Sequence, residues 1–163
     1  MLAPAFCALY SRVLFRCGAQ ASSALDQIPH WRSCVSLLGG ALRTEVQAYA
    51  TGLYRRKSGD PLRYLAEEAA GYVAEGFKAV KLKVGFAVEE DVAATRAVRS
   101  AIGADVALMV DANHAYDAVD AIRLGRKIEG HDIGWFEEPV PPEDLVGYRA
   151  VKAALSIPIA GGE

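Results

Sequence analysis

From Glu45 onward the apolar and polar positions follow two rhythms. Residues 46–51 alternate with period two and predict a short, half-buried strand. Asp60-Pro61 supplies an N-cap followed by proline at the first helical position. Leu62, Leu65, Ala69 and Val73 then recur at helical spacing, and Gly76 closes that helix. Residues 79–84 predict the next strand, stopped by Gly85. Val88, Val92, Thr95, Val98 and Ile102 mark one face of a second helix over about 88–102. The continuous apolar run 106–110 predicts a strand covered on both sides. A helix over 117–128, a strand over 133–136, a helix over 142–155 and a short strand over 157–160 complete the chain. The order βαβαβαβαβ implies an α/β protein with a parallel sheet, either a barrel or a doubly wound fold.

The spacing of the strand ends separates the two. Lys83, Asp111, Glu137 and Glu163 follow one another at intervals of 28, 26 and 26 residues. Near-constant spacing suits a (β/α)₈ barrel, whose catalytic groups stand at successive strand C-termini. No GxGxxG follows the first strand, so a dinucleotide-binding fold loses support. The expected architecture is a partial TIM (β/α) barrel, about five of eight βα units, over residues 45–163. Residues 1–44 are expected to be the remnant of an N-terminal α+β capping domain with its linker. The first 35 residues carry Arg12, Arg16 and Arg32 with no acid before Asp26. They read as a core helix over 3–15 rather than a targeting segment, because Arg12 interrupts the apolar stretch. The pair Gly39-Gly40 marks a turn and a boundary.

Composition narrows the function classes. In 163 residues, 52% hydrophobic and 23% charged is the make-up of a globular chain. A formal net charge of -2 offers no general attraction to nucleic acid. No apolar run reaches the roughly 18 residues needed to span a bilayer, so no membrane partner is expected. Three cysteines, Cys7, Cys17 and Cys34, are odd in number and fit a reducing cytoplasm better than a disulfide framework.

Asp111, Glu137 and Glu163 each follow an apolar strand immediately. In a barrel these side chains converge on one mouth. Three carboxylates there need a cation, and hard oxygen ligands select Mg²⁺. The plainer reading of any one of them is a helix N-cap or first-turn acid. Asn113, two residues past Asp111, reaches the same side if the strand geometry persists. Lys81 and Lys83, at i and i+2, face the same way and away from Leu82. At about 7 Å and an effective dielectric near 20 their repulsion is roughly 2 kcal/mol, which would lower one amine's pKa and make it a usable base. The competing reading places both lysines on an exposed edge strand.

Four segments together resemble the mandelate racemase/muconate lactonizing branch of the enolase superfamily. They are residues 76–85 (GFKAVKLKVG), 110–113 (VDAN), 135–139 (WFEEP) and 161–163 (GGE). The resemblance implies Asp111, Glu137 and Glu163 as Mg²⁺ ligands. It implies Lys83 as the base, Lys81 as its electrostatic partner, and Asn113 beside the substrate carboxylate or the metal. Glu138 resembles an acid supporting the ligands, or else is a surface acid before Pro139. His114 has no role in the pattern, and a satisfied loop histidine is expected. The implied reaction is Mg²⁺-dependent removal of a proton α to a carboxylate, through an enediolate, on a sugar acid or hydroxy-acid. Dehydratase, cycloisomerase and racemase outcomes all follow from that start. The resemblance also implies a small-molecule carboxylate substrate and a homo-oligomer in full-length relatives.

The sequence departs from the pattern in two places. The helical stretch with a Trp-Asp pair usually found ahead of the Leu-Gly-Gly turn is absent, and the last three barrel units are not in this sequence. The alternative expectation is therefore a catalytically inactive barrel fragment that needs a partner chain.

Overall fold

A computed structural model describes Gly40, residues 45–56 and residues 59–162. The chain divides into two compact units, Met1–Ala48 and Tyr49–Glu163. Of the first, residues 45–48 belong to no helix or strand; the expected helix over 3–15 lies outside the described residues.

The second unit alternates strands and helices: β1 (Ala50–Thr51), α1 (Pro61–Ala74), β2 (Ala79–Lys83), α2 (Val88–Ile102), β3 (Ala107–Asp111), α3 (Ala118–Ile128), β4 (Ile133–Glu137), α4 (Leu145–Ala154) and β5 (Ile159–Ala160). A 3₁₀ turn, Glu129–His131, follows α3. All five strands are parallel and stand in chain order, β1-β2-β3-β4-β5. A doubly wound sheet reverses its order partway. Here it never reverses, so right-handed crossovers lay every helix on one face, and the unit is a run of consecutive (β/α) barrel units.

Local chemistry sets the helix starts. The Asp60 side chain accepts from the Leu62 and Arg63 amides, with Pro61 behind it, and that of Asp117 accepts from the Asp120 amide. Three elements are shorter than the pattern predicts. β1 holds only Ala50 and Thr51, which meet Val80 and Lys81, while Val46 lies exposed. α4 begins at Leu145 because Asp144 caps it by accepting from the Gly147 amide, leaving 142–143 in the preceding turn. β5 begins at Ile159 because Pro158 has no N–H to give a ladder; its carbonyl still accepts from Phe136.

The core lies between the sheet and its helices. Leu65 and Ala69 from α1, Val98 from α2, Leu124 and Ile128 from α3 and Val151 from α4 close over Val80, Leu82, Leu108, Val110 and Phe136. Those strand residues alternate with Lys81, Lys83, Met109, Asp111 and Glu137, which face the other way.

Candidate active site

Register gathers the site. Lys83 pairs with Asp111, and Asp111 with Glu137, so the three occupy one row across β2, β3 and β4. Thr51, Lys81 and Met109 form the row beneath. Neighbouring strands lie about 4.8 Å apart, which brings side chains in one row within reach of each other.

The two ammonium groups lie between the carboxylates. Lys81 Nζ donates to both Glu137 oxygens at 2.8 Å and stands 3.2 Å from Asp111 Oδ2. Lys83 Nζ donates to that same Asp111 oxygen at 2.6 Å and to Asn113 Oδ1 at 2.8 Å. Asp111 is fully buried, and its Oδ1 accepts from the Asn113 amide. Trp135 Nε1 donates to Glu137 Oε2 at 2.9 Å. The Tyr49 ring lies 5.6 Å from Lys81 Nζ and packs edge-on against Trp135; the Tyr54 ring lies 5.9 Å from Lys83 Nζ.

Two carboxylates dominate the surroundings of Lys81. Burial alone would pull its pKa down, but the Glu137 and Asp111 carboxylates outweigh burial and hold it above the ordinary lysine value. Burial likewise pushes the Asp111 carboxyl up, and the Lys83 ammonium and Asn113 amide overturn that and hold it below its ordinary value. Sequence spacing tells which side a lysine faces, not which acids interleave with it. The reading of both lysines on an exposed edge strand fails, since β2 is flanked by β1 and β3 and the Lys81 side chain is buried.

Asn113 reaches Lys83 by a different route from the one expected. Strand geometry ends at Asp111; Asn113 and His114 adopt left-handed backbone conformations, at φ 45° and 63°. Glu138, at φ 46°, does the same above β4. Non-glycine residues in that region are costly, and three at adjoining strand ends mark a locally constrained site. The ladder continues through them, as the Glu138 amide donates to Ala160 O and the His114 amide to Glu138 O.

Glu138 is not a surface acid: it is 1% exposed. His114 Nε2 approaches its Oε2 to 3.1 Å but without hydrogen-bond alignment, and neither Glu138 oxygen has a hydrogen-bond partner among the described residues. His114 Nδ1 is also buried without one, so His114 is not the satisfied loop histidine expected. A 230 Å³ cavity opens beside this pair, lined by Trp135, Glu137, Glu138, Ala160 and Gly161.

Among the described residues no three of His, Cys, Asp and Glu cluster tightly enough to hold a metal, and Glu163 lies outside the described residues. The donor chemistry of those present nonetheless fits Mg²⁺. Asp111, Glu137 and Asn113 offer only hard oxygens, and one or two protein carboxylates commonly suffice to anchor that ion. Tyr49, Tyr54 and Trp135 carry no acid–base signal in sequence; the fold places the two tyrosine rings beside the amines and the Trp135 indole on Glu137.

Comparison with known proteins agrees with this geometry. The family model described as "Enolase C-terminal domain-like" matches residues 64–163. D-galactarolactone cycloisomerase of Agrobacterium fabrum is 51% identical over 135 residues, covering 82% of this chain and 36% of that protein. Arabinonate dehydratase of Saccharolobus solfataricus is 41% identical, covering 78% and 34%. Among solved structures, the 3,6-anhydro-D-galactonate cycloisomerase of Zobellia galactanivorans superposes with a TM-score of 0.73 at 49% identity, covering 79% and 35%. A racemase from Streptomyces coelicolor with bound magnesium gives 0.66 at 38%, covering 72% and 32%. The chain thus spans about a third of the length of the relatives it matches. Five parallel units in barrel order, a row of lysine and acids across them and these likenesses lead to one conclusion: the chain belongs to the enolase superfamily, in its mandelate racemase/muconate lactonizing branch.

Proposed function

We propose that this chain carries the base and part of the metal site of an enzyme that removes the proton α to the carboxylate of a sugar acid. The observation that supports it most is the shared row of Lys83, Asp111 and Glu137, with Lys81 joining the two acids from below. Asp111 and Glu137, with Glu163, would hold Mg²⁺; when bound, it supplies positive charge to the substrate carboxylate, whose charge doubles on proton loss. Lys83 is the base, taking the proton at Nζ once that nitrogen leaves Asp111 and is free as an amine. Lys81 keeps its charge against Glu137 and faces the developing anion. Asn113 orients Lys83 through its side-chain oxygen, and Glu138 supports the adjoining loop from behind Glu137.

The relatives' names point to aldonic and aldaric acids or their lactones as the substrate class. Racemisation, β-elimination and ring-opening share the same first step. The setting we assign is a cytoplasm with a small-molecule carboxylate as partner; among the described residues no helix is long and apolar enough to cross a membrane.

The test is deuterium uptake at the α-carbon of such acids in D₂O with Mg²⁺. Uptake is expected, and Lys83→Ala should slow it by about 10²-fold or more. Uptake by Lys83→Ala at the original rate overturns the base assignment.

A further inference from the structure

Asp91 is a helix residue outside the row of proposed reacting groups, yet it is fully buried and draws on three separate loops. It sits in the first turn of α2, where an acid ordinarily does no more than face the helix amides. Here its carboxylate turns out of the helix. Oδ2 accepts from the Gly85 amide at 2.8 Å, the Phe86 amide at 3.0 Å and the Tyr116 hydroxyl. Oδ1 accepts from Arg55 Nη2 at 2.5 Å. Those donors belong to the segments that leave β2, β3 and β1, respectively.

Each segment also carries a group of the site. Gly85 stands two residues past Lys83. Tyr116 stands three past Asn113, which holds Lys83. Arg55 directly follows Tyr54, whose ring lies by Lys83 Nζ, and it is further fixed by Glu90 and by stacking 4.3 Å over Phe86. The β2 and β3 loops meet without slack: a Cβ on Gly85 would lie 2.7 Å from Ala112 O and from Ala115 Cβ. Within α2, the Thr95 hydroxyl donates to Asp91 O at 2.7 Å, fixing the turn that presents the carboxylate. A carboxylate can accept about four hydrogen bonds, and all four here come from outside its own helix.

We propose that Asp91 is a positioning residue that locks the loops after β1, β2 and β3 to one another, and so fixes Lys83, Tyr54 and Asn113 in a single arrangement. The proposal deepens the α-proton reading and rests on it for its catalytic consequence. Its structural consequence is independent, because the Gly85 and Phe86 amides report the lock directly. Asparagine in place of Asp91 keeps the shape but turns an NH₂ toward either Arg55 or the two amides, so at least one loop is released. Tyr116→Phe removes one donor and leaves both amide bonds.

The experiment compares the protein with its Asp91→Asn and Tyr116→Phe variants by amide hydrogen exchange at Gly85 and Phe86 and by α-deuterium uptake across a range of sugar-acid and Mg²⁺ concentrations. Asp91→Asn should speed exchange at both amides at least tenfold. It should also lower saturated uptake 10- to 100-fold, with KM and the Mg²⁺ requirement each held within threefold. Tyr116→Phe should fall between, with the two amides still protected. Unchanged protection of both amides in Asp91→Asn overturns the lock. A raised KM with kcat intact overturns the positioning role. If the unaltered protein takes up no deuterium, the proposed reaction fails, and amide exchange alone then upholds or overturns the lock. Should Asp91→Asn not fold, the intermediate behaviour of Tyr116→Phe decides, and kcat equal to the unaltered protein's overturns the proposal.

Discussion

Lys81 and Glu137 show how much a single contact in this site carries. Both Glu137 oxygens are held by one buried ammonium, and the same ammonium reaches Asp111. Removing one partner of such a pair leaves a buried charge uncompensated, which typically costs about 3–5 kcal/mol. Backbone constraints are as local. Alanine at Gly85 would meet main-chain oxygen at 2.7 Å and require φ +100°, so Gly85→Ala should cost about 2–4 kcal/mol in urea unfolding. Gly71, exposed on α1 with nothing within 4 Å of a Cβ, is the contrast: Gly71→Ala should stabilise by about 0.5–1 kcal/mol in the same measurement. At this scale the sequence tells which residues share a face, because period two fixes that for Lys81 and Lys83. It does not tell charge state. Interleaving of acids and amines is a property of cross-strand register, and Asp91 looks in sequence like any acid at a helix start.

Among elements, the two ends of the strands do different work. Beyond the C-terminal ends lie the amines, acids and strained loops. At the opposite end, Arg99 near the end of α2 donates to four carbonyls: His131 at 2.9 Å, Gly103 at 2.8 Å, Val106 at 2.7 Å and Asp132 at 2.9 Å. It joins the approaches to β3 and β4, and its planar fork has no lysine equivalent. Arg99→Lys should therefore lower unfolding stability by about 2–3 kcal/mol and leave Mg²⁺ affinity unchanged; a change in affinity with unaltered stability would reverse that division. Helices were the most legible elements, since Asp60-Pro61 and Asp117 announce their own caps and α2 carries an unbroken apolar face. Strand ends were less so. β1 and β5 contain two residues each because pairing, not alternation, bounds a strand at a sheet edge, and Pro158 removes a donor where the pattern alone would extend β5.

For the unit as a whole, chain-ordered parallel strands convert a sequence spacing of 26–28 residues into one spatial row. That conversion is why motifs far apart in the chain read together as a family pattern, and why Asp111 and Glu137, 26 residues apart, stand side by side at neighbouring strand ends. The surrounding tyrosines, and the burial of Glu138 with His114 beside it, depend on how loops fold over the row. Spacing carries no record of that.

If these oxygens form a divalent-cation site facing a lysine pair, calorimetric titration with Mg²⁺ distinguishes the protein from its Asp111→Asn variant. Submillimolar binding that disappears in Asp111→Asn is the predicted result. No binding by the unaltered protein, or equal binding by both, would contradict it.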